Sequence, residues 1–288
     1  MRAVGDTMTA TVPWICPSCR GTVSTPYCPH CGERPLLPRE LTLRGLGEQA
    51  FEAFTNIDGR LLRSFRCLVT RPGLLTVAFL EGRRRPYLGP VALFLVANVL
   101  FFGTESLTGG TVLSTPLDSH LQKQPWSPLA QTLVAHRLDV LQTTAAVYAP
   151  AFDAAVALHA RSLILLMALA FAVLPGVVFR RGRHPFAAHA VFSLHLYAFL
   201  LLLFCVVTTV EAVNLSRGGG PAASQNLDYA LSIGLVVACA AYLYFAIGVV
   251  YGGSRTARLL RAIALSAGAA AIVLGYRFAL LLITLYSA

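Results

Sequence analysis

Apolar residues dominate the chain from Tyr87 onward, and short basic clusters interrupt them. A bilayer core is about 30 Å thick, so a helix rising 1.5 Å per residue needs about 20 mainly apolar residues to cross it. Five stretches approach or reach that length: Tyr87 to Phe102, Ser162 to Phe179, Phe186 to Val210, Leu227 to Tyr251 and Leu259 to Tyr286. Pro90 falls in the first turn of the first stretch, where helices tolerate proline. Pro175 is expected to kink the second. The third contains no Asp, Glu, Lys or Arg. Asp228 marks the edge of the fourth, and the fifth carries Arg261 near one end and Arg277 inside it. The pattern predicts an all-α polytopic membrane bundle of about five transmembrane helices, occupying residues 87–288.

Before Tyr87 the period changes. Phe51, Phe54, Ile57, Leu61, Phe65 and Leu68 recur at steps of three and four, with Arg60, Arg63 and Arg66 on the polar side. An apolar stripe flanked by Arg suits a helix lying in the headgroup plane, here over Leu41 to about Val69. Pro72 and Gly73 break it, and a second short apolar stretch, Leu74 to Leu80, runs into Arg83, Arg84 and Arg85. Residues 41–86 are therefore read as membrane-surface helices. Between the first two spans, residues 103–161 contain Pro116, Pro125, Pro128, Pro150, Asp118, Asp139 and Asp153, a content unsuited to crossing lipid. They are read as an outer loop with one amphipathic helix along Leu129, Leu133, His136, Val140 and Thr143.

Composition agrees. Of 288 residues, 56% are hydrophobic and only 12% charged, with a mean hydropathy of +0.65. A soluble domain is about a quarter charged and needs a polar shell, which this chain cannot build. Residues 1–15 lack a long apolar stretch, so an internal span is expected to begin insertion.

The net charge of +10 has three ordinary meanings: nucleic acid, anionic lipid or the inner face of a membrane. The positions decide among them. Arg83 to Arg85 precede span one, Arg180, Arg181 and Arg183 join spans two and three, and Arg255, Arg258 and Arg261 join spans four and five. With a cytoplasmic N-terminus, five spans put all three clusters in the cytoplasm and the C-terminus on the outer side. The outer face then carries Lys123, Arg137, Arg161 and Arg217. The basic balance is explained without nucleic acid.

Four of the seven cysteines stand as Cys16-Pro-Ser-Cys19 and Cys28-Pro-His-Cys31. Two Cys-x-x-Cys turns offer four thiolates to one tetrahedral ion, which predicts a structural zinc ribbon over residues 13–35. Gly21 and Gly32 follow the pairs and are expected to take the positive φ such turns need. Disulfides are disfavoured in a reducing cytoplasm, and a redox Cys-x-x-Cys normally occurs once and opens a helix. Four sulfurs fill the coordination sphere, so a catalytic zinc with an open position is not expected. Cys67, Cys205 and Cys239 lie in apolar segments and read as small hydrophobes.

Polar groups at membrane depth are costly, which makes them candidates for a functional site. Here they are His189, His195, Tyr197 and Arg277, with Glu211, Asp228 and His159 near the outer face. His189 and His195 are six residues apart, about 120° round a helix, so they form no shared metal clip. Each imidazole is equally explained as a neutral ring bonded to a neighbouring carbonyl or tyrosine. Arg277 has two outlets: snorkelling outward, or pairing with Asp228 or Glu211. No metalloprotease helix, nucleophile elbow or phosphate-binding glycine loop is present.

Three stretches carry a likeness. They are Cys16-x-x-Cys19 with Tyr27-Cys28-Pro-x-Cys31-Gly32; Phe54-x-Asn56-x-Asp58 through Arg71-Pro72-Gly73 and Phe79-Leu80-Glu81-Gly82-Arg83 to Pro86-Tyr87 and Pro90; and His189-x-Val191-Phe192-Ser193-Leu194-His195 with Ala198-Phe199. In these the chain resembles a family of uncharacterised bacterial inner-membrane proteins, a domain of unknown function that begins with a zinc ribbon. The resemblance implies a bacterial inner-membrane location and the same topology, and no activity. Ala188 stands where that family often has an acidic residue before the first His, which weakens any His–carboxylate relay.

Three functional readings follow. The first is a membrane scaffold or regulatory protein whose zinc ribbon binds a cytoplasmic protein partner. The second is a small transporter-like bundle using His195 and Arg277. The third, with least support, is a lipid-active enzyme, since no catalytic pair or nucleophile stands out. The surroundings of His195 and Arg277 discriminate: a shared cavity favours the second and third readings, and separate satisfaction favours the first.

Overall fold

The computed structural model describes residues 13–34, 59–180, 182, 184–218 and 221–287. The cysteine module comes first. Its strands β1 (Trp14–Ile15) and β2 (Thr22–Val23) pair antiparallel, with Trp14 opposite Val23. Among the described residues, two short helices follow the module, α1 (Arg60–Thr70) and α2 (Leu74–Leu80). Next come α3 (Pro90–Thr108), the small helices α4 (Leu117–Gln122) and α5 (Ser127–Val140), then α6 (Ala145–Val178), α7 (Phe186–Ser216), α8 (Pro221–Val250) and α9 (Arg255–Ser287).

Five of these helices are long and apolar enough to cross a bilayer: α3, α6, α7, α8 from Asn226, and α9. The chain is an all-α, multi-pass membrane protein preceded by a small cysteine module. Helices α6, α7, α8 and α9 pack pairwise into a four-membered ring, and α3 packs on the outside of α7. Flanked by α3, α6 and α8 and touched by α1 and α2, α7 is the central helix: 72% of its most apolar window is buried, against 33–39% in the other four. That position explains a stretch without a single charge, since most of its faces meet other helices.

Polar side chains inside the bundle bond to backbone oxygens of neighbouring helices. Ser193 on α7 donates to the Ala168 carbonyl on α6. The Tyr276 hydroxyl on α9 donates to the Ala160 carbonyl at 2.7 Å, and that of Tyr148 on α6 to Leu285 at 3.3 Å. In hydrocarbon no water relieves an unpaired hydroxyl, so such bonds are how these residues are accommodated.

The described structure departs from the sequence reading in three places. The stretch read as an outer loop over 103–161 narrows to 109–144, because α3 continues to Thr108 and α6 begins at Ala145. At 34 residues α6 is about 50 Å long, so it is longer than a 30 Å core requires by about 20 Å, enough to carry Pro150 and Asp153 outside lipid. Asp153 is used there, its Oδ1 accepting from the Leu117 amide at 2.8 Å. In α5 the buried residues are Ser127, Ala130 and Val134, while Leu129 and Val140 are exposed, so the face turned inward is offset from the expected one. The helix expected over Leu41 to Val69 is described only from Arg60. Phe51, Phe54 and Ile57 lie outside the described residues. In the described part Leu68 is buried, and Leu61 and Phe65 pack on the same core, so this end of the stripe meets protein.

The turn between α1 and α2 fixes how closely they approach the ring. Gly73 has φ 86°, and a Cβ there would come within 2.9 Å of the Ala246 carbonyl on α8. Only glycine meets both demands at once.

Candidate metal centre and polar sites

Each cysteine pair sits on the same turn, built twice. The Cys16 amide donates to the Gly21 carbonyl at 2.9 Å and the Arg20 amide returns to the Cys16 carbonyl at 2.8 Å. In the second copy the Cys28 amide donates to Glu33 at 2.7 Å and the Gly32 amide to Cys28 at 2.7 Å. The fifth residue of each turn is left-handed: Arg20 at φ 61° and Gly32 at φ 69°. Gly32 has the role expected of it. Gly21 does not, for the left-handed position falls one residue earlier, on an arginine.

These turns aim four sulfurs at one point. The Sγ atoms of Cys16, Cys19, Cys28 and Cys31 all lie within 4.8 Å of one another. The Cys16–Cys31 pair is 3.4 Å apart and the Cys19–Cys28 pair 3.5 Å, and all four cysteines are free. A tetrahedral zinc with sulfurs at about 2.3 Å sets them about 3.8 Å apart, so the cluster is compatible with such an ion. The electrostatics fit as well. Burial opposes ionisation of Cys28, yet the amides of Cys31 and His30 hydrogen-bond to its thiolate and bring its pKa down to about 6. Burial pushes the Cys31 thiol up to about 12. Four thiolates this close need a cation to be charged together.

Glu33, which sequence reasoning passed over, ties this centre to the bundle. It is 3% exposed. Its Oε2 accepts from the Ser18 hydroxyl at 2.7 Å and from the amides of Arg84 and Arg85, each at 3.1 Å. Two successive amides form a small anion nest, and here a carboxylate from the cysteine module fills it. Arg85 Nε returns to the Gly32 carbonyl at 3.0 Å. The module is thereby fastened to the loop between α2 and α3.

The intramembrane polar residues do not all line one pocket. His195 is 3% exposed, and its Nδ1 lies 2.9 Å from Thr76 Oγ1 on α2. His189 Nδ1 is 2.8 Å from the Tyr251 hydroxyl, and the two rings stack. His159 Nδ1 meets Thr284 Oγ1 at 3.0 Å, between α6 and α9. Tyr197 is buried edge-on against Phe171, and its hydroxyl has no hydrogen-bond partner among the described residues.

Arg277 takes neither expected carboxylate as a hydrogen-bond partner. Its Nε donates to the Val112 carbonyl at 3.0 Å, and its Nη2 donates to the same oxygen. The carbonyl comes from the segment that turns back after α3, an acceptor that spacing alone does not reveal. Glu211, Asp228 and Arg277 do line one cavity of about 440 Å³ between α7, α8 and α9, with walls otherwise mainly apolar. His189, His195, Tyr197 and His159 do not line it. Sequence reasoning also passed over His120, which lies on α4 within the 109–144 segment and is fully buried. Trp126 Nε1 donates to its Nδ1 at 3.2 Å. Burial, helped by the charge of Arg277, pushes its pKa down to about 4.

Residues 58–102 match a family model described as a protein of unknown function, DUF3667. The match covers α1, α2 and the greater part of α3. No curated protein and no solved structure matches the chain. The chain is thus a multi-pass membrane protein that is similar, over this stretch, to proteins whose activity is not established, and it carries a cysteine cluster able to hold a metal.

Proposed function

We propose that this is an inner-membrane scaffold or regulatory protein of a bacterium, whose structural zinc ribbon is presented at the cytoplasmic face to bind a protein partner. The observation that carries the reading is the docking of the cysteine module through Glu33 onto the arginine-rich loop before α3. A module fastened at that end has a fixed orientation toward the cytoplasm. It also leaves Ile15 and Tyr27 exposed, at 71% and 58%, apolar surface of the kind that partner proteins cover. The separate satisfaction of His195 by Thr76 and of Arg277 by Val112 favours this reading over a shared transport path.

Zinc would be held by Cys16, Cys19, Cys28 and Cys31 and would supply fold stability with no catalysis, since four sulfurs leave no open position. The test uses the full chain in membranes with a photo-crosslinking residue at Tyr27. A discrete adduct that disappears in Cys28→Ser supports the reading; an adduct pattern indifferent to Cys28 overturns it.

One observation favours a second reading. The cavity bounded by Glu211, Asp228 and Arg277 has the charge pattern of a site for a small polar or amphiphilic solute. Transport by reconstituted protein that is lost in Arg277→Gln and Asp228→Asn would move the assignment there.

A further inference from the structure

Helix α1 carries Arg63, Arg66, Cys67 and Thr70 on one face, at steps of three, one and three. Arg71 follows at its C-terminal cap, where φ is −135° and the chain has left the helix. Tyr87 faces this group from the loop before α3. That loop is pinned, because Arg60 Nη2 donates to the Tyr87 carbonyl at 2.9 Å and Arg63 Nη1 to that of Pro86 at 3.4 Å. Arg63, Arg66, Cys67, Thr70, Arg71 and Tyr87 line a cavity of about 430 Å³.

Its charge is one-sided. Among the described residues, three guanidiniums line it and no carboxylate does. Among the described residues none of the three has an acidic group within ion-pair reach. Like charges gathered in a concave site raise one another's cost unless an anion joins them. Guanidinium forks match phosphate oxygens, two N–H groups to a pair of oxygens. The volume holds a phosphate together with part of what it is attached to.

Place narrows the choice of ligand. The cavity lies at the end of the bundle where α3, α7 and α9 begin and α6 and α8 finish, beside the turn in which Gly73 touches Ala246. This is the level at which apolar spans give way to the basic clusters, and there a bilayer presents its own phosphates. We propose that this cavity binds a phosphate group carried by an anionic phospholipid, which enters from the bilayer boundary. The inference is independent of the metal centre and of any protein partner. All six lining residues fall within residues 58–102, the stretch similar to the family of unknown function.

The test uses the full chain, purified in detergent, stripped of lipid and titrated with phosphatidylglycerol, with zwitterionic phosphatidylcholine or with inorganic phosphate. Native mass spectrometry counts what stays bound. One phosphatidylglycerol per chain is expected at concentrations where phosphatidylcholine is not retained. Arg66→Gln with Arg71→Gln, both at exposed positions, should weaken it about tenfold. Arg255→Gln, an exposed arginine at the same end and outside the cavity, should leave binding unchanged. Displacement by millimolar inorganic phosphate would overturn lipid as the source of the phosphate. An equal loss in Arg255→Gln, or undiminished binding in the double variant, would overturn the site itself.

Discussion

Arg20 and Gly32 occupy equivalent left-handed positions, so the same change of backbone freedom has opposite signs at the two. A side chain with a Cβ costs about 1–2 kcal/mol in that region, part of which glycine gives back as lost chain entropy. Arg20→Gly is therefore expected to stabilise the module by about 0.5–1 kcal/mol and to slow zinc loss to a chelator. Gly32→Ala should do the reverse, because its Cβ would also meet Arg85 Nη2 at 2.8 Å. Zinc release faster in Arg20→Gly than in the parent would refute the account. His195 and Thr76 give a second residue-scale expectation. Thr76→Val leaves a buried imidazole nitrogen without its partner, at about 1–3 kcal/mol, whereas adding His195→Phe removes the orphan. Thermal unfolding in detergent should show the double variant less impaired than the sum of the singles. The cysteine ligands were legible in the sequence because all four fall within sixteen residues and their spacing is itself the geometry. Arg20 was not, since nothing in a sequence marks an arginine as left-handed. Arg277 was legible as a buried charge but not in its partner, because a backbone carbonyl leaves no signature.

At the scale of elements, apolar length announced the five long helices, and steps of three and four announced α1. What length could not supply was where a long helix begins, as α6 does at Ala145 and not near Ser162, or which face a short helix turns inward, as in α5. Contacts between distant elements were equally hidden. Glu33 reaches amides 51 and 52 residues further on, and in sequence it is one carboxylate after a glycine. Its role makes a separable prediction. Glu33→Ala removes the acceptor of three hydrogen bonds while leaving every sulfur in place. The variant should keep its zinc, yet the module should come loose from the bundle. Amide exchange at Arg84 and Arg85 should accelerate by at least about tenfold, on the basis of about 1.5–3 kcal/mol for a hydrogen bond to a charged group. Unchanged exchange there would mean that some other contact holds the module.

For the whole molecule, if all five long helices cross, the two ends of the chain lie on opposite sides of the membrane, and charge predicts which side is which. The end that bears the cysteine module also bears Arg60, Arg63, Arg66, Arg71, Arg83, Arg84, Arg85, Arg180, Arg255, Arg258 and Arg261. Three of these stand over aromatic neighbours: Arg84 lies 4.9 Å from the Phe79 ring centre, Arg258 4.3 Å from that of Tyr244 and Arg261 5.1 Å from that of Phe179. The opposite end has Lys123, Arg137, Arg161 and Arg217. Retention of basic loops in the cytoplasm, with about 1 kcal/mol per residue from anionic headgroups, leads to the expectation that the module lies inside and the C-terminus outside. Because the clusters before α3, between α6 and α7, and between α8 and α9 act in the same direction, no one of them should be decisive. Replacing Arg83, Arg84 and Arg85 together by Gln is expected to leave the topology intact. Compartment-sensitive reporters fused at the N-terminus, after Gly218 and after the last residue should read cytoplasm, outside and outside, in both the parent and the triple variant. A cytoplasmic signal from the C-terminal fusion of the parent would mean that one of the five helices does not cross. A reversal in the triple variant alone would mean that the loop before α3 sets the orientation unaided.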